Sequence, residues 1–428
     1  MDKRIVRIGI LGCGTVGSAV IKSLLKNRKS LKEKTGVNFI VSKVCDKDIK
    51  KRCLFPSLFT PNPEDIINSP EIDIVVELIG GTTVAFDLLK SAIDNKKSVV
   101  TANKAVISEK GKELFRSAEE KNVHIGFEAS VAGAIPIIKT IRESFVGSNI
   151  LKIYGILNGT TNYILTEMFK NSVNFSTALS MAKSYGYAEA DPSLDIKGID
   201  TAHKISILST LAFSRYIHWK DVYVEGIENI ESLDINFTAE FGYRIKLLAV
   251  AKREKDNLEI RVHPTLLSSK HLLSFVDGVY NAVYLEGDMF GKSLLYGEGA
   301  GGCAAGSAVI ADIVDIGKKL VHNNLPCKVI ASEDRNLKVL PIEEINTRYY
   351  FRFTALDRPG VLAGIARVLG NHNISIASVI QKEESPEKAV PILMLTHQAK
   401  EVSVRKAIKE INNLPFIKSP TRLLRVEE

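Results

Sequence analysis

The chain has 428 residues, 45% hydrophobic and 25% charged, which is enough for two or three packed cores and excludes a largely disordered chain. The formal charge is +8, but the lysines are dispersed and the densest cluster, DKDIKKR at 46–52, mixes both signs, so nucleic acid is not an expected partner. Five cysteines, Cys13, Cys45, Cys53, Cys303 and Cys327, are scattered with no CxxC pair, which argues against a disulfide framework or a thiolate zinc site and for a reducing, cytoplasmic setting.

The N-terminal MDKRIVRIGILGCG is interrupted by Arg7 and ends in glycines, unlike a signal peptide, and no stretch reaches the roughly 20 apolar residues of a membrane helix. Its apolar run RIVRIGIL reads as a strand, VGSAVIKSLLKN as a helix, and NFIVSKVC, IDIVVELIG, KSVVTA and VHIGFEAS as further strands. Alternating short β-branched runs with helices predicts a Rossmann-type doubly wound α/β sheet.

Between the first strand and helix lies GCGTVG. Gly12 would make the tight turn, Gly14 would admit a pyrophosphate to the backbone, and Gly17 would let helix and strand approach, with Thr15 and Val16 at the helix N-terminus facing the anion. The ribose-binding acid usually follows by about 20 residues. Here Asp46 comes 29 after Gly17, the polar KEKTG insert accounting for the excess. Asp46 suits a free 2′-hydroxyl, and Lys50, Lys51 and Arg52 a 2′-phosphate, so NAD and NADP both stay open. ELIGG at 77–81 and TANK at 101–104 end two strands on the side where ligands bind such sheets, with Asn103 and Lys104 at the tip of the second.

From about residue 136 the pattern changes: IPIIKTIRES reads as a helix, NILKIYGIL as a strand, and NGTTNYILTEMF as a helix whose Asn158, Gly159, Thr160 and Thr161 exceed what one N-terminus needs for capping. The segment GYAEADPSLDIKGIDTAHK places Glu189, Asp191, Asp195 and Asp200 ahead of Lys204. Asp200 and Lys204, four apart on an apolar helix, share a face, with the acid at the positive end of the dipole and His203 pointing elsewhere. On a solvated face such a pair contributes about 0.3–0.5 kcal/mol. Partly buried, the lysine can relay a proton, and the acids ahead of it can bind an ammonium or hydroxyl.

FEASVAGAIPII, GILNGTTNYIL, GYAEADPSLDIKGIDTAHK and GEGAGGCAAGSAVIAD together resemble the homoserine dehydrogenase family over about residues 4–325. That resemblance implies reversible NADPH- or NADH-dependent reduction of L-aspartate 4-semialdehyde to L-homoserine, on the route to threonine and methionine. It implies Lys204 as proton donor to the aldehyde oxygen, Asp200 as its partner, and Glu189 and Asp195 as substrate ligands beside Asn158, Gly159 and Thr160. Lys104 would lie between nicotinamide and substrate, and Gly301 would return to the cofactor. It also implies a monovalent cation, Na+ or K+, held by oxygens of Glu128, Val131, Gly133 and Ile135, a hard ion on carbonyl-rich ligands. Many relatives carry arginine where this chain has Cys45.

Beyond residue 345, RYYFRFTALDRPGVLAGIARVLGNHNISIASVIQKE, AVPILMLTHQ, KEVSVRKAIKEIN and IKSPTRLLRV read in the order βαββαβ and resemble an ACT domain. That resemblance implies a ferredoxin-like module binding an amino acid, with threonine as effector at Asp357, Pro359 and Gly360 near Asn371 and Asn373; deletion from about 345 would then release inhibition. The expected division is 1–135 plus 290–325 for the dinucleotide domain, 136–289 for an α+β substrate and dimerisation domain, 326–346 as linker and 347–428 as the ACT module, in a homodimer or larger assembly. Two other readings are a catalytically silent amino-acid sensor and a dehydrogenase of another amino-acid aldehyde or imine.

Overall fold

Strands covered by helices on both faces must be apolar along their length, and the central runs Ile74–Glu77 and Ser98–Thr101 are buried at every position. They sit in a six-stranded parallel sheet in the order Phe59–Thr60, Asn38–Cys45, Ile5–Leu11, Ile74–Glu77, Ser98–Thr101, Ile125–Gly126. The order reverses between the first and fourth of these strands in sequence, so the crevice beyond Leu11 and Glu77 is the switch point of a doubly wound sheet. The computed structural model describes residues 4–330, 334, 336–381 and 389–427. Residues 331–333 and 335 of the expected linker lie outside the described residues.

The chain divides into two compact units, one comprising Met1–Leu157, Ala202–Asp221 and Tyr280–Leu337, the other Asn158–Thr201, Val222–Val279 and Lys338–Glu428. In the first unit, helix Thr15–Thr35 buries Val20, Ile21 and Leu24 against the sheet, and helix Gly302–Val321 adds Val309, Ile313 and Ile316 to the same core. Each such aliphatic side chain contributes about 1.5–3 kcal/mol on burial. Strand Tyr280–Gly287 pairs antiparallel with Ile150–Ile156 and with Gly291–Glu298.

In the second unit, the antiparallel pair Tyr243–Glu254 and Asn257–Ser268 is extended by strand Ile417–Glu427, which runs parallel to the latter through Thr265 and Arg425. Asn346–Leu356, Ala389–Thr396 and Ile376–Ile380 follow in the same sheet. With helices Val361–Asn371 and Glu401–Asn412 they give the βαββαβ order. Its strand Asn346–Leu356 is buried on both faces. Tyr349, Phe351 and Phe353 pack against the two helices, while Arg352 on the alternate face donates to Asp234 at 2.6 Å and Glu231 at 2.8 Å.

Two local expectations differ from the structure. IPIIKTIRES forms one short α turn, Ile137–Lys139, running into a π turn at Thr140–Ser144. VHIGFEAS keeps only Ile125–Gly126 as strand, because the chain turns at Glu128 to bring its carboxylate onto the Ile138 and Lys139 N–H groups, each at 2.8 Å. No helix among the described residues is long and apolar enough to cross a membrane.

Candidate active site

The glycine loop has the geometry its spacing predicts. Gly12 takes a φ of 104°, and a Cβ there would lie 2.5 Å from the Leu78 carbonyl oxygen across the switch point. A Cβ on Gly17 would lie 2.1 Å from the Gly12 oxygen, so the approach of helix to loop requires its absence. Above Gly14 there is open space. Helix Thr15–Thr35 starts there with no side-chain cap and no acid in its first turn, and its N–H groups remain available to an anion. These residues fit a dinucleotide. Gly302, after Gly301 at the start of its helix, packs against Thr15, whose Cγ2 lies 3.0 Å from where a Cβ would be.

Asp46 closes the loop from the second strand. One carboxylate oxygen accepts from Cys13 N at 2.7 Å and Lys51 Nζ at 2.9 Å, and the other from Asp48 N at 3.0 Å. Burial opposes its ionisation, but Lys51 and the two N–H groups prevail and hold the carboxyl below its ordinary range. Burial, and then the Asp46 charge, push the Cys45 thiol up to about 11, so it stays neutral. The 29-residue spacing arises because the first helix runs 21 residues, the KEKTG segment adding its last turn.

A buried carboxylate absent from the expectations organises the next two strand ends. Glu77 is fully buried; it accepts from Ile79 N at 2.8 Å and Gly80 N at 3.1 Å through one oxygen, and from the Thr101 hydroxyl at 2.6 Å through the other. An acid at the end of an all-apolar strand ahead of two glycines was the available signal. Asn103 donates to the Gly81 oxygen at 2.6 Å and caps helix Lys104–Lys121 through Val106 N, placing Lys104 at the first helical position.

Helix Ile199–Ala212 carries both Asp200 and Lys204, and the boundary between the two units falls between Thr201 and Ala202. In the first unit, half-buried Lys204 donates through Nζ to the Leu157 oxygen at 2.5 Å. In the second, Asn158 is the hub. Its side-chain oxygen caps helix Gly159–Asn171 through Thr161 N, and its Nδ2 donates to Asp195 at 2.7 Å and to Asp200 at 2.9 Å. The Asn158 side chain therefore serves as both cap and carboxylate clamp. Thr160 donates to the Tyr187 oxygen at 2.6 Å, which holds the loop carrying exposed Glu189. Asp191 instead faces solvent, bonded to the Ser193 hydroxyl and N–H.

At the expected cation loop, the Glu128 carboxylate accepts one N–H group on each oxygen, and its main-chain oxygen accepts from Val131 N at 3.4 Å. Ala132 and Gly133 both take a φ of 56°, which makes a tight turn between Val131 and Ile135. Among the described residues no group of three or more His, Cys, Asp or Glu is arranged for a metal ion. A cavity of about 190 Å³ nearby is lined by His124, Glu128, Lys139, Arg142, Asp312 and Lys319, among others, and includes neither lysine 104 nor lysine 204. In the C-terminal module, Asp357 accepts from the Gln381 amide at 2.9 Å, Pro359 and Gly360 precede helix Val361–Asn371, with Gly360 at a φ of 89°, and Asn373 has a φ of 58°.

The chain is similar to known proteins along almost its whole length. The model "Homoserine dehydrogenase, NAD binding domain" matches residues 12–128, "Homoserine dehydrogenase" matches 136–314 and "ACT domain" matches 349–416. The chain is 43% identical to a homoserine dehydrogenase of Helicobacter pylori, over the whole of both chains. A homoserine dehydrogenase structure from Thiobacillus denitrificans superposes with a TM-score of 0.94 at 41% identity, covering 99% of this chain and 98% of that one. A hyperthermophilic archaeal homoserine dehydrogenase in complex with NADPH is similar with a TM-score of 0.62 at 29% identity, covering 73% of this chain and 97% of that one. A glycine loop at the switch point and these matches define an NAD(P)-dependent oxidoreductase. The chain belongs to the homoserine dehydrogenase family, whose members interconvert L-aspartate 4-semialdehyde and L-homoserine. The silent-sensor and other-aldehyde readings are not favoured.

Proposed function

We propose that Lys204 holds the proton exchanged with the substrate oxygen, and that Asp200, one turn earlier on the same helix, orients the site through Asn158. The observation that carries this reading is the Asn158 clamp, which ties Asp195 to Asp200 at the start of the lysine's helix. Carboxylates bound to an amide rather than to solvent are held in place before substrate arrives, and such preorganisation supplies much of a catalytic effect. Asp195 and Glu189 take the substrate ammonium or hydroxyl, with Asn158, Gly159 and Thr160 shaping the floor. Lys104, at a helix N-terminus beside the Glu77-held loops, stands between coenzyme and substrate.

The bound nicotinamide supplies or accepts the hydride. Gly12, Gly14, Thr15, Val16 and Gly17 hold its pyrophosphate, Gly301 borders the same loop, and Asp46 meets the ribose. NAD is the favoured coenzyme, since Asp46 brings a negative charge, Cys45 stays neutral and Lys51 is already paired with Asp46. Carbonyls of Glu128, Val131, Gly133 and Ile135 hold a monovalent cation, and the positive φ values at 132 and 133 support that turn.

The domain division 1–135 plus 290–325, 136–289, 326–346 and 347–428 remains our reading. A homodimer is supported by Leu272 and Phe275, 57% and 61% exposed in the expected dimerisation segment. Threonine is the proposed effector, at Asp357, Pro359, Gly360, Asn371 and Asn373, in a cytoplasmic enzyme whose described cysteines are free thiols. The test is oxidation of L-homoserine followed at 340 nm with NAD and NADP in parallel, with parent protein and Lys204→Ala. A loss in kcat of at least about 100-fold is expected, the range of general acid–base catalysis; near-parental turnover would remove Lys204 from the role.

A further inference from the structure

Lys104 and Lys204 sit on different helices of the same compact unit, and one buried polar link joins those helices. Ser108, one turn after Lys104, meets His203, the residue before Lys204: the hydroxyl oxygen and Nδ1 are 2.5 Å apart. Ser108 is 1% exposed and His203 8%. A narrow, mostly apolar crevice beside Ser108 is lined by Ile107 and Phe115 from one helix and by Ile207 and Leu211 from the other. The Trp219 ring lies 4.7 Å from the imidazole, and the Tyr216 hydroxyl donates to the Ser108 main-chain oxygen at 2.8 Å. Burial pushes the Tyr216 phenol up to about 12, so it remains a donor.

Apolar side chains resist separation of two helices but discriminate poorly between neighbouring registers, whereas a buried hydrogen bond is satisfied in one. A slip of a single residue moves a helix about 1.5 Å along its axis. Misplacement of a reacting group by about 1 Å can cost on the order of 100-fold in rate.

We propose that Ser108 and His203 are positioning residues, whose hydrogen bond fixes the register of the Lys104 helix against the Lys204 helix and thereby the separation of the two lysines. This rests on the reading of those lysines given above. The bond acts through the lysines and touches neither substrate nor coenzyme, so its loss reduces kcat while leaving binding nearly intact.

The test compares steady-state homoserine oxidation by Ser108→Ala, Ser108→Cys, His203→Leu, His203→Asn and the double variant Ser108→Ala/His203→Leu, with Lys104→Ala and Lys204→Ala alongside and thermal unfolding measured for each. Ser108→Cys is the smallest change that keeps a side-chain atom at this place while weakening the bond, sulfur being larger and a poor hydrogen-bonding partner, and His203→Asn keeps a polar atom near Nδ1. Expected is a fall in kcat of about 10- to 100-fold for Ser108→Ala, Ser108→Cys and His203→Leu, with KM for homoserine and coenzyme within about 3-fold. His203→Asn should restore most of the turnover, and the double variant should be no slower than the slower single one, because both remove one bond. Turnover within about 2-fold of parent in Ser108→Cys, or losses that multiply in the double variant, overturns the positioning role while the lysine variants stay inactive. Active lysine variants would instead overturn the catalytic reading beneath it.

Discussion

Arg425 and Glu401 form an ion pair 2.5 Å long in which neither side chain is exposed. The guanidinium also donates to Glu225 at 3.0 and 3.1 Å and lies over the Tyr223 ring, while Glu401 accepts from Tyr349 and Arg405. Removing one partner of a buried pair strands the other, at a cost of about 3–5 kcal/mol, whereas replacing both with apolar groups is often close to neutral. Glu401→Ala should therefore lower the unfolding temperature sharply, and Arg425→Met/Glu401→Leu/Glu225→Gln, which removes both acids with the guanidinium, should recover most of the loss. Calorimetry on the two proteins checks this; equal destabilisation by both would show that packing, not stranded charge, sets the cost.

The C-terminal module is bound to the rest of its unit by more than a tether. Arg261 pairs with Glu427, Arg352 with Asp234, and strand Ile417–Glu427 lies beside Asn257–Ser268. A chain cut at 345 would strip strand Ile417–Glu427 from Asn257–Ser268 and open an unpaired sheet edge, so it should aggregate rather than merely be released from inhibition. The effector proposal is better tested by Asp357→Ala, which should raise the threonine concentration for half-inhibition at least about 10-fold while leaving the uninhibited rate unchanged, since a lost charge-assisted contact is worth about 1.5–3 kcal/mol. A soluble, active truncation, or unchanged inhibition in Asp357→Ala, would each count against this arrangement.

The proposed preference for NAD rests on Asp46. Replacing it with serine removes the charge that repels a 2′-phosphate and frees Lys51 from its ion pair. The ratio of kcat/KM for NADP to that for NAD should rise at least about 10-fold, roughly 1.4 kcal/mol of discrimination. A ratio that stays constant while both values fall would mean that Asp46 only holds the loop.

Lys246 offers a pH test. Burial pulls its ammonium down to about 8 despite Asp277, to which it is bonded at 3.0 Å along with the Val276 oxygen at 2.6 Å and Asn162 at 3.1 Å. In the unfolded chain the same group titrates near 10.5. Between these values the unfolded state binds more protons, so this lysine's contribution to stability rises with pH from about 8 to 10.5 and is flat below 8. The difference in stability between parent and Lys246→Met should move in the parent's favour by on the order of 1 kcal/mol per pH unit across that window. Parallel stability curves for the two proteins would discard the shift.

Much of this arrangement was legible because it is local. The glycine loop, its flanking strand and helix, and the Asp200–Lys204 spacing each lie within a few turns of chain, where periodicity and cap chemistry act. Strand Asn38–Cys45 matches its apolar run residue for residue. Contacts over long separations were not legible. Ser108 meets His203 across 95 residues, and Glu77 shows its purpose only once two strand ends lie side by side. IKSPTRLLRV was legible as a strand, but the complete burial of Arg425 within it was not, since that depends on acids from Glu225 and Glu401 converging on it.

Helix Gly302–Val321 seals the core begun by Val20 and Ile21. During synthesis it emerges about 200 residues after strand Ile125–Gly126 completes the parallel sheet, on the order of 10–40 s later at ordinary elongation rates. For that interval the nascent sheet keeps one apolar flank uncovered on the ribosome, and its yield in the cell should depend on chaperones that shield it until the covering helix arrives.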